Sequence, residues 1–356
     1  MERKNIAVLV SGGVDSSVAL HLLKEQGHDL TAFYLKIWLE DELAFMGSCP
    51  WEEDLSYVEA VCKQADVPLE VISLQKEYWD HVVSYTISEI KAGRTPNPDI
   101  FCNKLIKFGF FLDKIDSRFE KVATGHYAQV EEENGLYGLK SAPDTVKDQT
   151  YFLSYLSQEQ LSQTIFPIGH LTKEQVRDLA KKYDLPNKDR KDSQGICFLG
   201  KLKFDEFIKH HVGEQKGDMI EAETGKKLGE HKGFWYHTIG QRRGSGISGG
   251  PWYVVAKDSE KNIVYFSKDY YSEDKARNSL EVENINWITG QKPLKNNLQV
   301  KIRHGKHKYD ATVVYTDNNQ AQVKLDGSDQ GIAPGQFAVF YDDDMCLGGG
   351  VIKKST

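Results

Sequence analysis

The segment SGGVDSS at residues 11–17 has the residue types and the setting of a phosphate-binding loop. It follows a short β-branched run and precedes a stretch with helical periodicity. Glycines let backbone N–H groups approach an anion closely, and the N-terminus of the next helix adds partial positive charge. The alternative is a glycine turn in which Asp15 or Ser16 caps the helix without any ligand. The chain has no GxxxxGK[ST] pattern, so this loop would not hold a phosphate with a Walker lysine.

Cys102 is the first of two cysteines whose surroundings suit sulfur chemistry. It lies in Thr95–Asn103, TPNPDIFCN, where two prolines precede a predicted helix over Lys104–Asp113. A thiol at a helix start gains thiolate character from the helix dipole. Asp99, three residues earlier, could act as a general acid or base if both side chains share one face. By residue type alone, a helix-capping Asp99 and a buried, unreactive Cys102 remain the alternative.

Cys197 is the second such cysteine, in the segment RKDSQGICFLG at residues 190–200. Glycine and nearby positive charge suit a mobile, reactive thiolate. An isolated cysteine beside Phe198 is more often packed than reactive. Spacing alone does not show that Cys102 and Cys197 meet.

The other three cysteines, Cys49, Cys62 and Cys346, match no catalytic role and are expected to pack. The five cysteines are widely spaced and form no CxxC pair, which argues against a disulfide scaffold and a zinc ribbon. In a reducing compartment such cysteines serve either packing or chemistry.

The composition is that of an ordinary soluble protein with more than one domain. The chain has 356 residues, of which 40% are hydrophobic and 27% charged. It shows no signal-peptide pattern and no run near the roughly 18 apolar residues of a membrane helix, so we expect a cytoplasmic protein without a membrane partner. Because the formal net charge is −7, any binding of nucleic acid must rest on local basic patches.

The first half alternates short β-branched runs with helical patterns, which is typical of parallel βαβ units. The predicted strands are Ile6–Val10, Leu30–Leu35, Leu69–Leu74 and Lys121–Thr124. A helix is predicted over Ser16–Gln26, directly after the first strand. We therefore expect an α/β domain with a parallel sheet over residues 1–201. That sheet must position the loop and both cysteines.

The rest of the chain changes pattern twice. Residues 202–273 are punctuated by glycines and predict a small, loop-rich central domain. Residues 274–356 show period-two alternation, as in Gln299–Arg303 and Gln322–Leu325, separated by turn signals. This alternation predicts a compact antiparallel β-barrel.

Several segments resemble the bacterial tRNA-specific 2-thiouridylase family, MnmA or TrmU, over nearly the whole chain. The SGGVDSS loop also matches the pyrophosphate loop of ATP pyrophosphatases, whose adenine-nucleotide α-hydrolase-like fold the resemblance implies. The further matching segments are NPDIFCNKLIKF, ATGHYA, KDQTYFL, KDSQGICFLG, HTIGQRRG and APGQFAVFY.

The resemblance implies a reaction and a set of roles. ATP would adenylate the C2 oxygen of the wobble uridine of tRNA, and a persulfide would then deliver sulfur to that carbon, with AMP and pyrophosphate as products. Cys197 corresponds to the persulfide carrier, Cys102 to the nucleophile that assists release, and Asp99 to an acid or base. A sulfur-donor protein, such as a cysteine desulfurase or a relay protein, is an implied partner.

Binding residues follow from the same resemblance. The ATP site would comprise Leu9, Val10, Ser11, Gly12, Gly13, Val14, Asp15, Ser16, Leu35 and Gly125. The tRNA contacts, in its anticodon arm, would comprise Asn97, Pro98, Asp99, Lys147, Asp148, Gln149, Arg303 and His304. Asp15 would help to hold a magnesium ion on the phosphates, because a hard cation prefers oxygen ligands.

Two positions depart from the family pattern. Gln194 replaces the threonine of DSTGICF, and Leu35 stands where a methionine is usual at the adenine pocket. Both are neighbours of the chemistry, so the implied reaction class is unchanged.

Other interpretations stay open at this stage. His126 fits a structural hydrogen bond or a nucleotide contact equally well, and the QRRG segment at residues 241–244 fits a solvated turn or an RNA phosphate contact. A synthetase that adenylates a carboxylate and joins it to an amine would use the same loop. A nucleotide-gated RNA-binding protein with structural thiols is the non-enzymatic alternative.

Overall fold

The computed structural model describes residues 2–37, 50–191 and 204–356. Cys49, Gln194 and Cys197 lie outside these described ranges, and so do the predictions made for them. Within the ranges, no helix is long and apolar enough to cross a membrane.

The described residues alternate strands and helices in the first half and contain mostly strands in the second. The strands are β1 (Asn5–Leu9), β2 (Asp29–Lys36), β3 (Leu69–Ser73), β4 (Lys121–Ala123), β5 (Ala128–Glu133), β6 (Leu136–Ser141), β7 (Thr164–Ile165), β8 (Gly217–Glu221), β9 (Lys227–His231), β10 (Tyr253–Asp258), β11 (Ile263–Ser267), β12 (Ser279–Trp287), β13 (Asn297–Lys301), β14 (Tyr309–Asp317), β15 (Gln320–Leu325), β16 (Phe337–Asp342) and β17 (Met345–Ser355). The α-helices are α1 (Val14–Glu25), α2 (Pro50–Ala65), α3 (Gln75–Tyr78), α4 (Ser84–Lys91), α5 (Pro98–Phe101), α6 (Phe111–Lys114), α7 (Thr150–Leu153), α8 (Gln158–Ser162), α9 (Lys173–Lys182) and α10 (Phe204–His211). Two π-helical segments, Trp79–Val83 and Cys102–Phe110, join α3 to α4 and α5 to α6.

A parallel sheet with the strand order β3-β2-β1-β4-β7 forms the core of the first domain. Successive side chains of a strand point to opposite faces, and Ile6, Ala7 and Val8 of β1 are all fully buried. Val8 shares a core with Val58 of α2, whereas Ala7 shares one with Ile106 of the second π-helical segment. Helices therefore cover both faces of the sheet, which confirms the predicted α/β fold.

The strand order reverses between β1 and β4. In parallel sheets, ligands bind in the crevice that opens at this reversal, beyond the carboxyl ends of the strands. The SGGVDSS loop follows β1, and Thr124–His126 follows β4. The fold thus brings these two loops to the same crevice.

The helix that carries Cys102 begins earlier than the sequence suggested. α5 starts at Pro98 and runs through the π-helical segment into α6, so the predicted helix over Lys104–Asp113 is only its later part. Proline has the backbone angle of a first helical turn and no N–H that would lose a partner there. Cys102 therefore lies beyond the first turn, where the dipole effect has faded, and the prediction of a thiol at a helix start is wrong.

The central domain is built on a four-stranded sheet with the order β10-β11-β8-β9. It has a core of its own, formed by Met219, Phe234, Trp252, Val254, Val264 and Phe266. This arrangement agrees with the predicted small domain between the parallel sheet and the barrel.

The C-terminal strands close into an antiparallel barrel in the order β12-β15-β14-β13-β16-β17, with β17 pairing back to β12. Val300, Val313, Val323 and Phe340 are fully or almost fully buried inside it. The period-two alternation of the sequence is the alternation of inward and outward side chains, and the predicted barrel is confirmed.

A hairpin of the first domain extends the barrel sheet. β5 and β6 pair with each other, and β6 also pairs with β17, where Leu139 lies opposite Cys346 and Lys140 opposite Met345. The first domain and the barrel therefore share one sheet. Sequence periodicity did not predict this junction, because nothing local specifies the partner of a strand.

Candidate active site

A cavity of about 610 Å³ lies beside the carboxyl ends of β1 and β4. Many of the residues predicted from the sequence line it: Leu9, Val10, Ser11, Gly13, Val14, Asp15, Ser16, Leu35, Asp99, Cys102, Gly125, Lys147, Gln149 and His304. Gly12, Asn97, Pro98, Asp148 and Arg303 are not among its lining residues. The fold thus joins the nucleotide loop, one cysteine and part of the predicted tRNA surface in one space.

The SGGVDSS loop presents an open helix N-terminus to the cavity. Gly13 occupies the N-cap position of α1, and no side chain caps the helix there. The Ser16 hydroxyl instead donates to the Gly13 carbonyl oxygen at 3.0 Å and accepts from the Ser11 N–H at 3.2 Å. Asp15 and Ser16 are therefore not the caps of the helix, and its first N–H groups remain oriented for an anion.

Gly12 is held by side chains from a distant part of the first domain. Its carbonyl oxygen accepts from Asn187 Nδ2 at 2.8 Å and from Arg190 Nη1 at 3.0 Å, and Arg190 also pairs with Asp54. Its φ of +75° is in the left-handed region, and an added Cβ would lie 2.6 Å from the Asp54 carbonyl oxygen. Only glycine fits there, which fixes the shape of the loop.

Gly125 allows the β4 loop to contact the phosphate loop. A Cβ on Gly125 would lie 2.6 Å from the Ser16 backbone nitrogen and 2.7 Å from the Asp15 carbonyl carbon. Any side chain would therefore push the two loops apart and deform the helix N-terminus.

Asp15 is held by two side chains that the sequence did not connect to it. Lys173 Nζ lies 2.7 Å from Oδ1 and 2.9 Å from Oδ2, and the Tyr127 hydroxyl donates to Oδ1 at 2.9 Å. No group of three or more metal-ligating side chains is present in the described ranges. Asp15 can thus supply one carboxylate to a magnesium ion whose other oxygen ligands come from phosphates and water.

His126 lies partly buried in the wall of the cavity, where it also serves a structural role. Its Nδ1 lies 2.7 Å from the Thr124 hydroxyl, and its ring contacts those of Phe108 and Phe166. Burial, and then the charge of Lys107, hold the pKa of His126 well below its ordinary value. The imidazole is therefore neutral at physiological pH.

Asp99 and Cys102 line the cavity from one helix. They are three residues apart, so their side chains lie on the same face. Cys102 is only 1% exposed and Asp99 is partly buried. The next residue, Asn103, donates from Nδ2 to the Phe152 carbonyl oxygen, and Lys107 Nζ, one turn further, donates to Asn103 Oδ1 at 3.0 Å. Cys102, the carboxylate of Asp99 and Lys107 thus line the same cavity.

The loop Lys147–Gln149 connects the cavity to the barrel. Gln149 exchanges hydrogen bonds with the backbone of Tyr127, its N–H donating at 2.8 Å and its Oε1 accepting at 2.9 Å. His304 belongs to the barrel domain, and its Nε2 lies 3.1 Å from the Asp148 carbonyl oxygen. Its ring stacks on that of Phe152, with the ring centroids 4.7 Å apart. His304 therefore reaches the cavity from a different domain than the loop.

Asp148 itself points into the protein. Its carboxylate accepts from Lys301 Nζ at 2.7 Å and from the Thr150 hydroxyl at 2.9 Å, and both charged side chains are 2% exposed. A tRNA contact by this carboxylate would have to break the pair. Arg303, by contrast, is half exposed and pairs with Asp329.

Protein-family models match three consecutive segments of the chain. The tRNA methyl transferase HUP domain matches residues 4–201, and the tRNA methyl transferase PRC-barrel domain matches residues 205–268. The aminomethyltransferase beta-barrel domain matches residues 277–352.

Curated relatives match over nearly the full length. The tRNA-specific 2-thiouridylase MnmA of Parabacteroides distasonis is 46% identical over 99% of both chains. MnmA 1 of Bacteroides thetaiotaomicron is 46% identical over 98% of this chain and 100% of the relative. MnmA of Porphyromonas gingivalis is 44% identical over 98% of this chain and 99% of the relative. The chain belongs to the tRNA-specific 2-thiouridylase MnmA family.

Membership in the MnmA family agrees with the resemblance found in the sequence motifs. The structure adds Lys173, Asn187, Arg190 and Lys301, which lie outside the MnmA motifs, and it shows that Tyr127 of the ATGHYA motif contacts Asp15. Lys173 opens α9 after a capping box at Thr172, and nothing in that pattern links it to Asp15, 158 positions earlier. Such long-range partners have no sequence signal in a single chain.

Proposed function

We propose that this protein is an ATP-dependent tRNA sulfurtransferase that converts the wobble uridine to 2-thiouridine. The observation that supports it best is the shared cavity, because a phosphate-binding helix N-terminus and a cysteine beside a carboxylate line the same space. The full-length identity to proteins named 2-thiouridylases supports uridine as the substrate.

ATP would bind with its phosphates at the N-terminus of α1 and its adenine near Leu35 of β2. Without a Walker lysine, the loop is suited to bind the pyrophosphate rather than to transfer the γ-phosphate. Asp15 would bring one carboxylate to a magnesium ion that lowers the repulsion between phosphates, and Lys173 would keep that carboxylate oriented. The uridine C2 oxygen attacks the α-phosphate, pyrophosphate leaves, and the base becomes adenylated.

Sulfur transfer would follow at the activated carbon. The terminal sulfur of a Cys197 persulfide attacks C2, and AMP leaves with the former oxygen. The Cys102 thiolate then attacks Cys197 Sγ, so that the sulfur–sulfur bond breaks and 2-thiouridine is released. The two cysteines end as a disulfide, and their oxidation supplies the two electrons that the transferred sulfur gains. Asp99 would move the protons, and a donor protein would reload Cys197 after reduction.

The tRNA would enter from the side of the barrel. Lys147, Gln149 and His304 line the cavity and are proposed to contact the anticodon arm, while Arg303 contacts it outside. Asn97 and Pro98, at the start of the Cys102 helix, and Asp99 are proposed to face the target base. Asp148 is proposed to contact the tRNA through its backbone, because its carboxylate is buried.

Nucleoside mass spectrometry tests this function against the two alternatives. The purified protein is incubated with unmodified tRNA, ATP, magnesium and a sulfur donor, and 2-thiouridine, AMP and pyrophosphate should form together. Cys197→Ser should abolish the formation of 2-thiouridine. The matched control Cys62→Ser should still form it, because Cys62 is buried in α2 and burial raises its pKa to about 11. ADP as the main product, or tRNA binding without thiolation in the wild type, would contradict the proposal.

A further inference from the structure

A cluster of aromatic rings on the central domain lies away from the residues that line the cavity. Tyr253 and Tyr270 are stacked, with ring centroids 4.8 Å apart and an interplanar angle of 17°. Tyr271 meets both rings edge to face, with its centroid 5.1 Å from that of Tyr270 and 6.2 Å from that of Tyr253. These contacts support the Tyr271 ring, yet 74% of the residue is exposed. A supported aromatic ring therefore faces solvent.

Cations flank the cluster. The Arg242 guanidinium lies over the Tyr253 ring, 6.0 Å from its centroid, and the Lys268 ammonium lies 4.8 Å from the centroid of Trp252. Within the described ranges, neither cation forms an ion pair with a carboxylate, and the same holds for the exposed Arg243. Arg242 over Tyr253, Lys268 over the neighbouring Trp252 and Arg243 next to Arg242 in the chain are three exposed cations. Together they create a local attraction for a polyanion in a chain whose net charge is negative.

The loop that carries Arg242 is ordered by its own hydrogen bonds. Gln241 Oε1 accepts from the Thr238 N–H at 2.9 Å, and Gln241 Nε2 donates to the Arg243 carbonyl oxygen at 2.9 Å. The Val254 N–H of β10 donates to the Gln241 carbonyl oxygen at 3.0 Å. This loop is the QRRG segment that the sequence left open between a solvated turn and an RNA contact. Its fixed backbone limits the entropy lost when a ligand binds.

The cluster borders Arg303, which we propose as a tRNA contact. A Cβ built on Gly331 would lie 3.0 Å from Arg303 Nη2 and 3.3 Å from the Tyr270 hydroxyl. Arg303 and Tyr270 are thus both in contact range of the same glycine. A tRNA that contacts Arg303 would continue onto the exposed ring.

We propose that Tyr271 and Arg242 form a stacking site for an unpaired base of the bound tRNA, with Arg243 and Lys268 near the adjoining phosphates. This inference rests on tRNA being the substrate and adds a subsite outside the reaction cavity. Stacking on an aromatic ring is open to any base, but only to one that is not already stacked within a helix. An RNA ligand also explains the unneutralised cations, which a purely apolar protein partner would not need.

Equilibrium binding of an unmodified tRNA transcript, measured by fluorescence anisotropy at several salt concentrations, tests the proposal. Tyr271→Ala should weaken binding about tenfold without changing the salt dependence, and Tyr271→Trp should retain the affinity because stacking is kept. Arg242→Ala should weaken binding and reduce the slope of log K against log salt by about one. Leu294→Ala, which truncates a fully exposed apolar residue of the barrel domain, is the matched control and should bind like the wild type.

The outcomes separate this inference from the proposed function. Wild-type affinity of Tyr271→Ala, or an equal loss in Tyr271→Ala and Tyr271→Trp, would overturn the stacking site while leaving thiolation untouched. A wild-type protein that binds tRNA no better than a duplex RNA of equal length would contradict the proposed function itself. Competition by a single-stranded oligonucleotide that is lost in Tyr271→Ala would support the stacking site.

Discussion

Lys301 and Asp148 form an ion pair that joins two domains: the Lys301 ammonium of β13 lies 2.7 Å from the carboxylate in the loop before α7, and both side chains are 2% exposed. The Thr150 hydroxyl donates to the same carboxylate and lies 3.1 Å from the hydroxyl of Tyr341, another barrel residue. The pair therefore fixes the loop Lys147–Gln149 relative to the barrel that carries His304.

Removing one partner of this pair should destabilise the protein strongly. Lys301→Met leaves a buried carboxylate without its counter-charge, which costs about 3–5 kcal/mol of the free energy of unfolding. Urea unfolding measures this change. Lys295→Met is the matched control, because Lys295 pairs with Asp342 at the surface, and it should cost less than about 1 kcal/mol. Equal destabilisation by both substitutions would contradict this role of the buried pair.

Asp15 should matter for turnover more than for stability. Asp15→Ala removes a partly exposed carboxylate from the phosphate loop, so pyrophosphate release in the presence of tRNA should fall at least a hundredfold while the melting temperature shifts by only a few degrees. Asp178→Ala, an exposed carboxylate on α9, is the control and should leave both unchanged. Failure of Asp15→Ala to fold would assign Asp15 and its Lys173 contact to structure alone.

His126 should make the protein less stable in mild acid. Its pKa is held well below the ordinary value by burial and Lys107, so between pH 7 and 5 the unfolded chain takes up a proton that the folded protein does not. The stability is complete above the unfolded pKa of about 6.5 and falls below it, by up to about 1.4 kcal/mol per pH unit. His126→Asn keeps a polar partner for Thr124 and should reduce this dependence in urea unfolding at pH 7.5 and 5.5. It should not abolish the dependence, because burial also lowers the pKa of His237 and His304. His210→Asn, which replaces an exposed histidine, is the control and should leave the pH dependence of stability unchanged. An unchanged pH dependence in His126→Asn would rule out His126 as its cause.

Arg303 should contribute a phosphate contact. Arg303→Ala should weaken tRNA binding and lower its salt dependence, because one fewer cation on phosphate means fewer released counterions. Arg118→Ala, which removes an exposed cation of the first domain, controls for net charge and should have little effect. Unchanged affinity and slope in Arg303→Ala would remove it from the tRNA surface.

Much of the fold was predictable because its signals are local. The β-branched run before Ser11 and the glycines after it indicated a strand followed by a phosphate loop, and the alternation in Gln322–Leu325 indicated a barrel strand. The start of the Cys102 helix could not be predicted in the same way, because proline ends most helices but also fits a first helical turn, as Pro98 does here.

The contacts that complete the site had no such signal. Lys173 reaches Asp15 across 158 positions and Lys301 reaches Asp148 across 153, and neither residue differs in its sequence surroundings from a solvated lysine. Pairing of the β5–β6 hairpin with β17 is equally non-local. These features depend on how sheets and domains pack, which periodicity within one element does not encode.

The most direct test of the proposed chemistry is non-reducing peptide mapping after a single turnover. Protein whose Cys197 carries a persulfide is mixed with tRNA and ATP without reductant, and the peptides are identified by mass spectrometry. The proposal predicts one Cys102–Cys197 disulfide for each 2-thiouridine formed, and a requirement for reductant before the next turnover. Cys102→Ser should accept the persulfide but fail to release the product. Multiple turnovers by Cys102→Ser at the wild-type rate, or 2-thiouridine formed without the linked peptides, would contradict it.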